Sequence, residues 1–159
     1  MEFISPLYVL SVLLVFVRVG GVLTAAPIFG QSGIPTQLRV LLGVLLAYSL
    51  VHMAGPMPDW VLHPVGFVVA VLMEAATGLT IGFAAKFVTY VLQVAAEVMG
   101  FQMGLTMSQA FNPISGHTEN AIGRLVSSLF MLLFLLFDGH HHVIEALALS
   151  FLAIPLATA

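Results

Sequence analysis

The sequence contains no cysteine and very little charge. Four basic and seven acidic residues make up 7% of the 159 residues, whereas a soluble domain has about 25% charged residues. The lack of cysteine excludes a disulfide framework, a thiolate nucleophile and a cysteine-based metal site. So few charges cannot cover a water-facing surface. The small net charge of −3 also lacks the basic patch that nucleic-acid binding requires, so no nucleic-acid partner is expected.

Apolar residues dominate the composition of the chain. They form 60% of the chain, with a mean hydropathy of +1.12. The apolar segments cover residues 7–29, 38–53, 61–105, 121–137 and 143–154, and a membrane-spanning helix needs about 20 residues. We therefore predict an all-α, polytopic membrane protein that forms a single helical domain over 1–159. Segment 61–105 is too long for one span, so it predicts a helical hairpin, a bent helix or a helix that projects from the bilayer.

Charged and small residues recur at helical spacing within these apolar segments. Arg18 interrupts the first segment, and a charge there usually faces a protein interior or snorkels to the interface. Two stripes of small residues are each led by a carboxylate, and such stripes favour close helix packing. The residues expected to pack helices or to face partner helices or a channel are Arg18, Glu74, Gly78, Gly82, Glu97, Gly100 and Gly104.

The long break at residues 100–116 has the composition of neither a helix nor a solvent loop. It contains three glycines and one proline and no charged residue, yet it carries bulky apolar side chains. Asn112-Pro113 biases the backbone away from helix, and irregular backbone at membrane depth is tolerated where protein buries it or where it lines a cavity. The break therefore predicts a segment that blocks a pore. The alternative is that the methionines of this segment fill gaps in an ordinary protein core and close no pore. The residues predicted to form or support this plug are Phe101, Met103, Met107, Phe111 and Pro113.

The sequence contains no catalytic arrangement that we can identify. No phosphate-binding loop, dinucleotide fingerprint or zinc-protease motif is present. The histidines of 140–142 are consecutive, and helical metal ligands converge at i, i+3 or i+4 spacing. We therefore expect a protein that is not an enzyme, with no metal and no cofactor. A small transporter or ion channel that uses Glu74, Lys86 and Glu97 is the main alternative. A lipid-modifying enzyme is disfavoured because a catalytic set is missing.

Four stretches, in order, resemble the FliR family of export-gate membrane proteins in flagellar type III secretion, which is related to the T-type component of injectisomes. They are RVGGVLTAAPIF at 18–29, IPTQLR at 34–39, EVMGFQMG at 97–104 continuing to Asn112-Pro113, and LLFLLFDGH at 132–140. Together they span nearly the whole chain. The ordered set is more specific than any one stretch.

The resemblance implies a structural subunit of the protein-export gate in the bacterial inner membrane, at the flagellar basal body. It implies a FliP-like fold of bent helices and hairpins, partners of the FliP, FliQ and FlhB types, contact with membrane lipid, and unfolded flagellar proteins as cargo. The loop matching about 104–116 would be the channel plug. Family members usually continue with further apolar segments after the position that matches Ala159. The chain therefore resembles their N-terminal part, and the FliQ-like portion lies beyond it.

Overall fold

Five α-helices and two short 3₁₀ turns account for most of the computed structural model, which describes residues 6–27, 29, 34–104 and 121–158. No strand occurs among these residues, and the predicted all-α class is confirmed. The helices are α1 (Pro6–Ala25), α2 (Thr36–Leu50), α3 (Pro64–Gln102), α4 (Ala121–Leu136) and α5 (Gly139–Ala153). The 3₁₀ turns are Val51–Met53 and Asp59–Leu62.

Prolines set several of the helix boundaries. Helix α1 ends at Ala25, two residues before Pro27, as expected for a residue that has no backbone N–H to continue the helix. Pro35 directly precedes the first residue of α2, and its carbonyl accepts from the N–H groups of Leu38 and Arg39. Pro64 is the first residue of α3, where its missing N–H would have no intrahelical partner in any case.

Helix α3 is continuous for 39 residues. At 1.5 Å per residue it is about 58 Å long, nearly twice the roughly 30 Å of a bilayer's hydrocarbon core. Its continuity excludes a hairpin turn inside 64–102. Of the three predicted possibilities, a bent helix and a helix that extends beyond the hydrocarbon core remain.

Three helical segments in the described part of the chain are long and apolar enough to cross a membrane, namely Pro6–Ala25, Thr36–Met53 and Pro64–Gln102. The number becomes four if α4 and α5, which two residues separate, are counted together as one span. Many large apolar side chains on these helices are exposed. An apolar exterior of this kind suits lipid or neighbouring apolar helices.

The chain forms two compact units, one comprising residues 1–85 with 141–159 and the other residues 86–140. The prediction of one domain over 1–159 remains a prediction. In the first unit, α1 packs against α2, and a Cβ atom on Gly43 would lie 3.0 Å from the Phe16 ring. The buried apolar side chains of this unit include Leu14, Val15, Val19, Val22, Leu23, Ala47, Leu147 and Phe151.

The second unit contains the later part of α3 and all of α4. Small residues supply its buried positions among the described residues, which are Ala96, Gly100 and Gly123. Phe134 packs closely against Gly139, where a Cβ atom would lie 2.6 Å from the ring. Most of its large apolar side chains are exposed.

Candidate functional site

A buried ion pair lies at the centre of the first unit. Arg18 projects from α1 and Glu74 from α3, and both have a relative exposure of 0%. Arg18 Nε bonds Glu74 Oε2, and Arg18 Nη2 donates to Glu74 Oε1 at 3.0 Å. This two-bond geometry is the strongest way for a guanidinium to bind a carboxylate. Each charge therefore has its counter-charge where water is absent.

The third nitrogen of the guanidinium bonds the C-terminal end of α5. Arg18 Nη1 donates to the Ser150 carbonyl at 3.2 Å, to Ser150 Oγ at 3.3 Å and to the Ile154 carbonyl at 3.0 Å. The last carbonyls of a helix lack intrahelical partners and carry partial negative charge. The guanidinium also lies 4.4 Å from the centre of the Phe151 ring, a cation–π contact. Arg18 therefore caps α5 as well as pairing with Glu74.

The carboxylate has one further bond, to the turn that follows α5. Glu74 Oε1 accepts from the backbone N–H of Ala157 at 2.9 Å. Ala157 is buried and has φ +58°, in the left-handed backbone region that residues other than glycine rarely adopt. The bond therefore holds a strained residue in place. One carboxylate and one guanidinium thus join α1, α3 and α5 in a cluster that we call the Arg18–Glu74 joint.

Glycines bring α1 and α3 close enough for the joint to form. A Cβ atom on Gly78 would overlap the carbonyl oxygen of Arg18, and one on Gly21 would lie 2.9 Å from the Leu79 nitrogen. A Cβ atom on Gly82 would lie 2.7 Å from that of Ala25. Helix association in lipid depends on such close approach and on interhelical hydrogen bonds, because lipid tails are as apolar as the side chains.

The charged groups of the joint are bonded within the protein. Both carboxylate oxygens are bonded, and all three guanidinium nitrogens are bonded to carboxylate, hydroxyl or backbone acceptors. The Glu74 carboxylate thus accepts three hydrogen bonds from the protein, one at Oε2 and two at Oε1. The arrangement fixes the relative positions of three helices.

Sequence reasoning identified part of this cluster. Arg18, Glu74, Gly78 and Gly82 were singled out, and the structure brings all four together in the first unit. Sequence reasoning did not pair Arg18 with Glu74, and it missed the contributions of Ser150, Ile154 and Ala157. All three are made partly or wholly through backbone groups, which leave no signal in the side-chain pattern. Ser150 was detectable only as a polar residue on an apolar helix.

The described residues of the second stripe and of the predicted plug lie at or directly after the end of α3. Glu97 is exposed and Gly100 is buried. Phe101 and Met103 are 76% and 66% exposed. The helix closes with Met103 N–H donating to the Met99 carbonyl at 3.0 Å, and Gly104 follows with φ +71°, a common helix ending.

Three of the predicted plug residues, Met107, Phe111 and Pro113, lie outside the described residues. The assignment of Phe101 and Met103 to a plug also remains a prediction. The histidines of 140–142 lie in the first turn of α5, and the expectation that they bind no metal stays an expectation.

Comparison with known proteins finds one family along almost the whole chain. The profile of "Bacterial export proteins, family 1" matches residues 9–159. The flagellar biosynthetic protein FliR of Pectobacterium carotovorum subsp. carotovorum is 32% identical over 142 residues, covering 89% of this chain and 54% of that protein. FliR of Caulobacter vibrioides is 30% identical over 150 residues, covering 92% and 59%. FliR of Escherichia coli K12 is 25% identical over 139 residues, covering 87% and 53%.

The chain spans about half the length of the curated relatives it matches. The family profile, by contrast, covers all but the first eight residues. The helical, apolar architecture agrees with this match. The chain belongs to the bacterial export proteins, family 1, the family of the flagellar biosynthetic protein FliR.

Proposed function

We propose that this chain is a structural subunit of the flagellar type III export gate and contributes to its protein-conducting channel. The observation that carries the proposal is the family match over residues 9–159, together with relatives named as flagellar biosynthetic proteins. The three helical segments of the described part of the chain that are long and apolar enough to cross a membrane are compatible with this role. The bacterial inner membrane at the flagellar basal body is the corresponding location.

We infer that the end of α3 and residues 104–116 form the channel plug. Phe101 and Met103 support this role because both are large, apolar and exposed at the point where α3 ends. Residues 104–116 carry no charge. Flexible apolar side chains can close a pore by excluding water and can move aside for a passing chain.

In this proposal the Arg18–Glu74 joint is the rigid base from which α3 extends. It fixes the first part of α3 to α1 and α5 through bonds at both ends of the ion pair. The close contacts at Gly78 and Gly82 act in the same region. The joint thus fixes the first part of α3 within the first unit.

The proposed partners are FliP-, FliQ- and FlhB-type proteins, with unfolded flagellar subunits as cargo and lipid around the outer surface. The family resemblance supports these partners. The many exposed large apolar side chains on the described helices support burial against other apolar surfaces.

The alternative of a transporter or ion channel that uses Glu74, Lys86 and Glu97 has weaker support. Both oxygens of Glu74 are bonded within the Arg18–Glu74 joint, so this group is not available to a moving ion. An enzymatic role also has weak support, because the joint offers neither a free nucleophile nor a free base.

Co-purification tests the proposal. The chain carries an affinity tag and is co-expressed with FliP- and FliQ-type subunits from the same organism, and the membranes are extracted in mild detergent. We expect a stable complex that contains all three proteins. An untagged chain controls for non-specific recovery. Recovery of the tagged chain without either subunit, at matched expression, would contradict the proposal.

A further inference from the structure

The later part of α3 carries two opposite charges that have no partner among the described residues. Lys86 and Glu97 are both exposed, and neither makes a hydrogen bond or ion pair within the described ranges. They lie on a helix that is otherwise apolar enough to cross a membrane. A charge that faces lipid is costly, so within the hydrocarbon core each of these groups would require compensation from outside the described chain.

The two charges lie in one line along the helix. They are separated by eleven residues, which places them about 20° apart around the axis and about 16 Å apart along it. This distance is too long for a direct ion pair. The intervening Tyr90 and Gln93 lie within about 40° of Lys86 on the same side. Lys86, Tyr90, Gln93 and Glu97 therefore form one polar stripe.

Large apolar side chains flank the stripe. Phe87 and Val94 are exposed and lie about 100° and 80° from Lys86 on the same flank. The buried small residues Ala96 and Gly100 lie on the opposite flank. We call the stripe together with Phe87 and Val94 the α3 charged face.

This combination fits a protein partner better than water or lipid. Lipid would leave both charges uncompensated. A water-filled channel would solvate the charges but would leave the apolar side chains of Phe87 and Val94 exposed to water. A packed helix satisfies both requirements, since apolar and aromatic contacts around an ion pair exclude water from it.

We propose that the α3 charged face packs against a helix of a neighbouring protein subunit that places a carboxylate opposite Lys86 and a cation opposite Glu97. The spacing of the partner's two charges is three helical turns, matching the eleven-residue separation. The partner carries its acid at one end of this spacing and its base at the other. If the partner helix ran in the opposite direction, like charges would face each other, so repulsion excludes that orientation. This inference rests on the proposed function, because it requires neighbouring subunits.

Site-specific photocrosslinking in cells tests the inference. p-Benzoylphenylalanine replaces Tyr90 in the tagged chain, co-expressed with the FliP- and FliQ-type subunits. We expect a crosslink to a helix of one of these subunits. Lys86→Glu and Glu97→Lys should each lower its yield about tenfold, because like charges then meet at the contact. Reversing the acidic residue of the crosslinked helix should restore the yield with Lys86→Glu and so exclude misfolding as the cause of the loss.

Matched controls exist within the same chain. Arg124 and Glu145 are exposed charges on α4 and α5, and Arg124→Glu and Glu145→Lys should leave the crosslink unchanged. Crosslinking only to lipid or to a second copy of this chain overturns the inference, as does a yield that the reversals at Lys86 and Glu97 leave unaltered. If the subunits co-purify but these results are negative, only the inference fails. If the subunits do not co-purify at all, the proposed function fails.

Discussion

Gly78 lies directly against the backbone carbonyl of Arg18, so that a Cβ atom at position 78 would overlap the oxygen. The same Arg18 sends its side chain to Glu74, one helical turn before Gly78 on α3. The close approach of the backbones and the ion pair are therefore parts of one contact between α1 and α3. Neither could be kept if the helices moved apart.

Gly78→Ala should destabilise the protein, because the added methyl group must push α1 away from α3. Overpacking of this kind costs about 1–3 kcal/mol, which exceeds the gain of about 0.5–1 kcal/mol from replacing a helical glycine by alanine. Gly20→Ala is the matched control, since nothing lies within 4 Å of its Cβ position. Thermal unfolding in detergent should show a lower midpoint for Gly78→Ala than for wild type and an equal or higher one for Gly20→Ala. Equal midpoints for the two variants would contradict the tight contact.

Removing one partner of the ion pair should cost more than removing both. Arg18→Met leaves the Glu74 carboxylate buried without its counter-charge, which costs about 3–5 kcal/mol. The double variant Arg18→Met with Glu74→Leu replaces the pair by apolar side chains, and such exchanges are often close to neutral. The Ala157 N–H and the Ile154 carbonyl then lose these bonds, at about 1–3 kcal/mol. We therefore expect partial recovery.

Detergent-solubilised thermal unfolding of the two single variants and the double variant measures this coupling. Glu145→Leu serves as the control for loss of an exposed carboxylate on α5. A double variant no more stable than Arg18→Met would mean that bonds outside the ion pair carry the stability of the joint.

Ala157 offers a separate test of the bond to Glu74. Its φ of +58° costs an L-residue about 1–2 kcal/mol that glycine does not incur. Ala157→Gly should therefore raise stability by about 1 kcal/mol, since it keeps the N–H donor. Ala157→Pro should lower stability, because proline has no N–H and cannot adopt positive φ. Chemical denaturation of the three proteins ranks them, and a glycine variant less stable than wild type would refute the backbone strain.

The helical segments could be predicted closely because each is an apolar run bounded by proline, glycine or polar residues. The first apolar segment reaches Phe29, but α1 ends at Ala25, in keeping with the expectation that Pro27 kinks or ends this helix. The pattern continues through Ala26-Pro27, but proline cannot continue the hydrogen bonding. The continuity of α3 through Lys86 and Glu97 could not be decided from sequence, because hydropathy does not distinguish a long helix from a hairpin.

The site could be predicted only as a set of unusual residues. Arg18 and Glu74 stood out because charges in apolar helices are rare. Their pairing across 56 residues depends on which helices are neighbours, and no local pattern encodes that. The contributions of Ile154 and Ala157 are backbone bonds, so their side chains gave no signal.

Gly104 is expected to matter for the plug beyond its effect on stability. Gly104 and Gly55 have φ values of +71° and +72°, and neither has an atom within 4 Å of its Cβ position. Alanine at either site thus introduces the same backbone strain, about 1–2 kcal/mol. Because Gly104 begins the proposed plug, only Gly104→Ala should increase small-solute leakage through the membrane. Leakage is measured by dye uptake in cells that express the full export gate. If both variants leak equally, the leakage results from backbone strain and not from the position of Gly104 in the plug.

Deleting residues 105–114 should open the channel if this segment closes it. The deletion removes Met107, Phe111 and Pro113 but keeps Gly104 at the end of α3 and Gly116 before α4. In cells that co-express the other gate subunits, we expect sensitivity to small toxic solutes and a larger ion conductance than with the intact chain, because an apolar constriction that excludes water has been lost. Replacing the segment by an equally long Gly-Ser linker separates loop length from side-chain chemistry. Leakage with both variants indicates that the apolar side chains make the seal, whereas tight membranes with both would exclude a plug at 105–114 while leaving co-purification with the gate subunits unaffected.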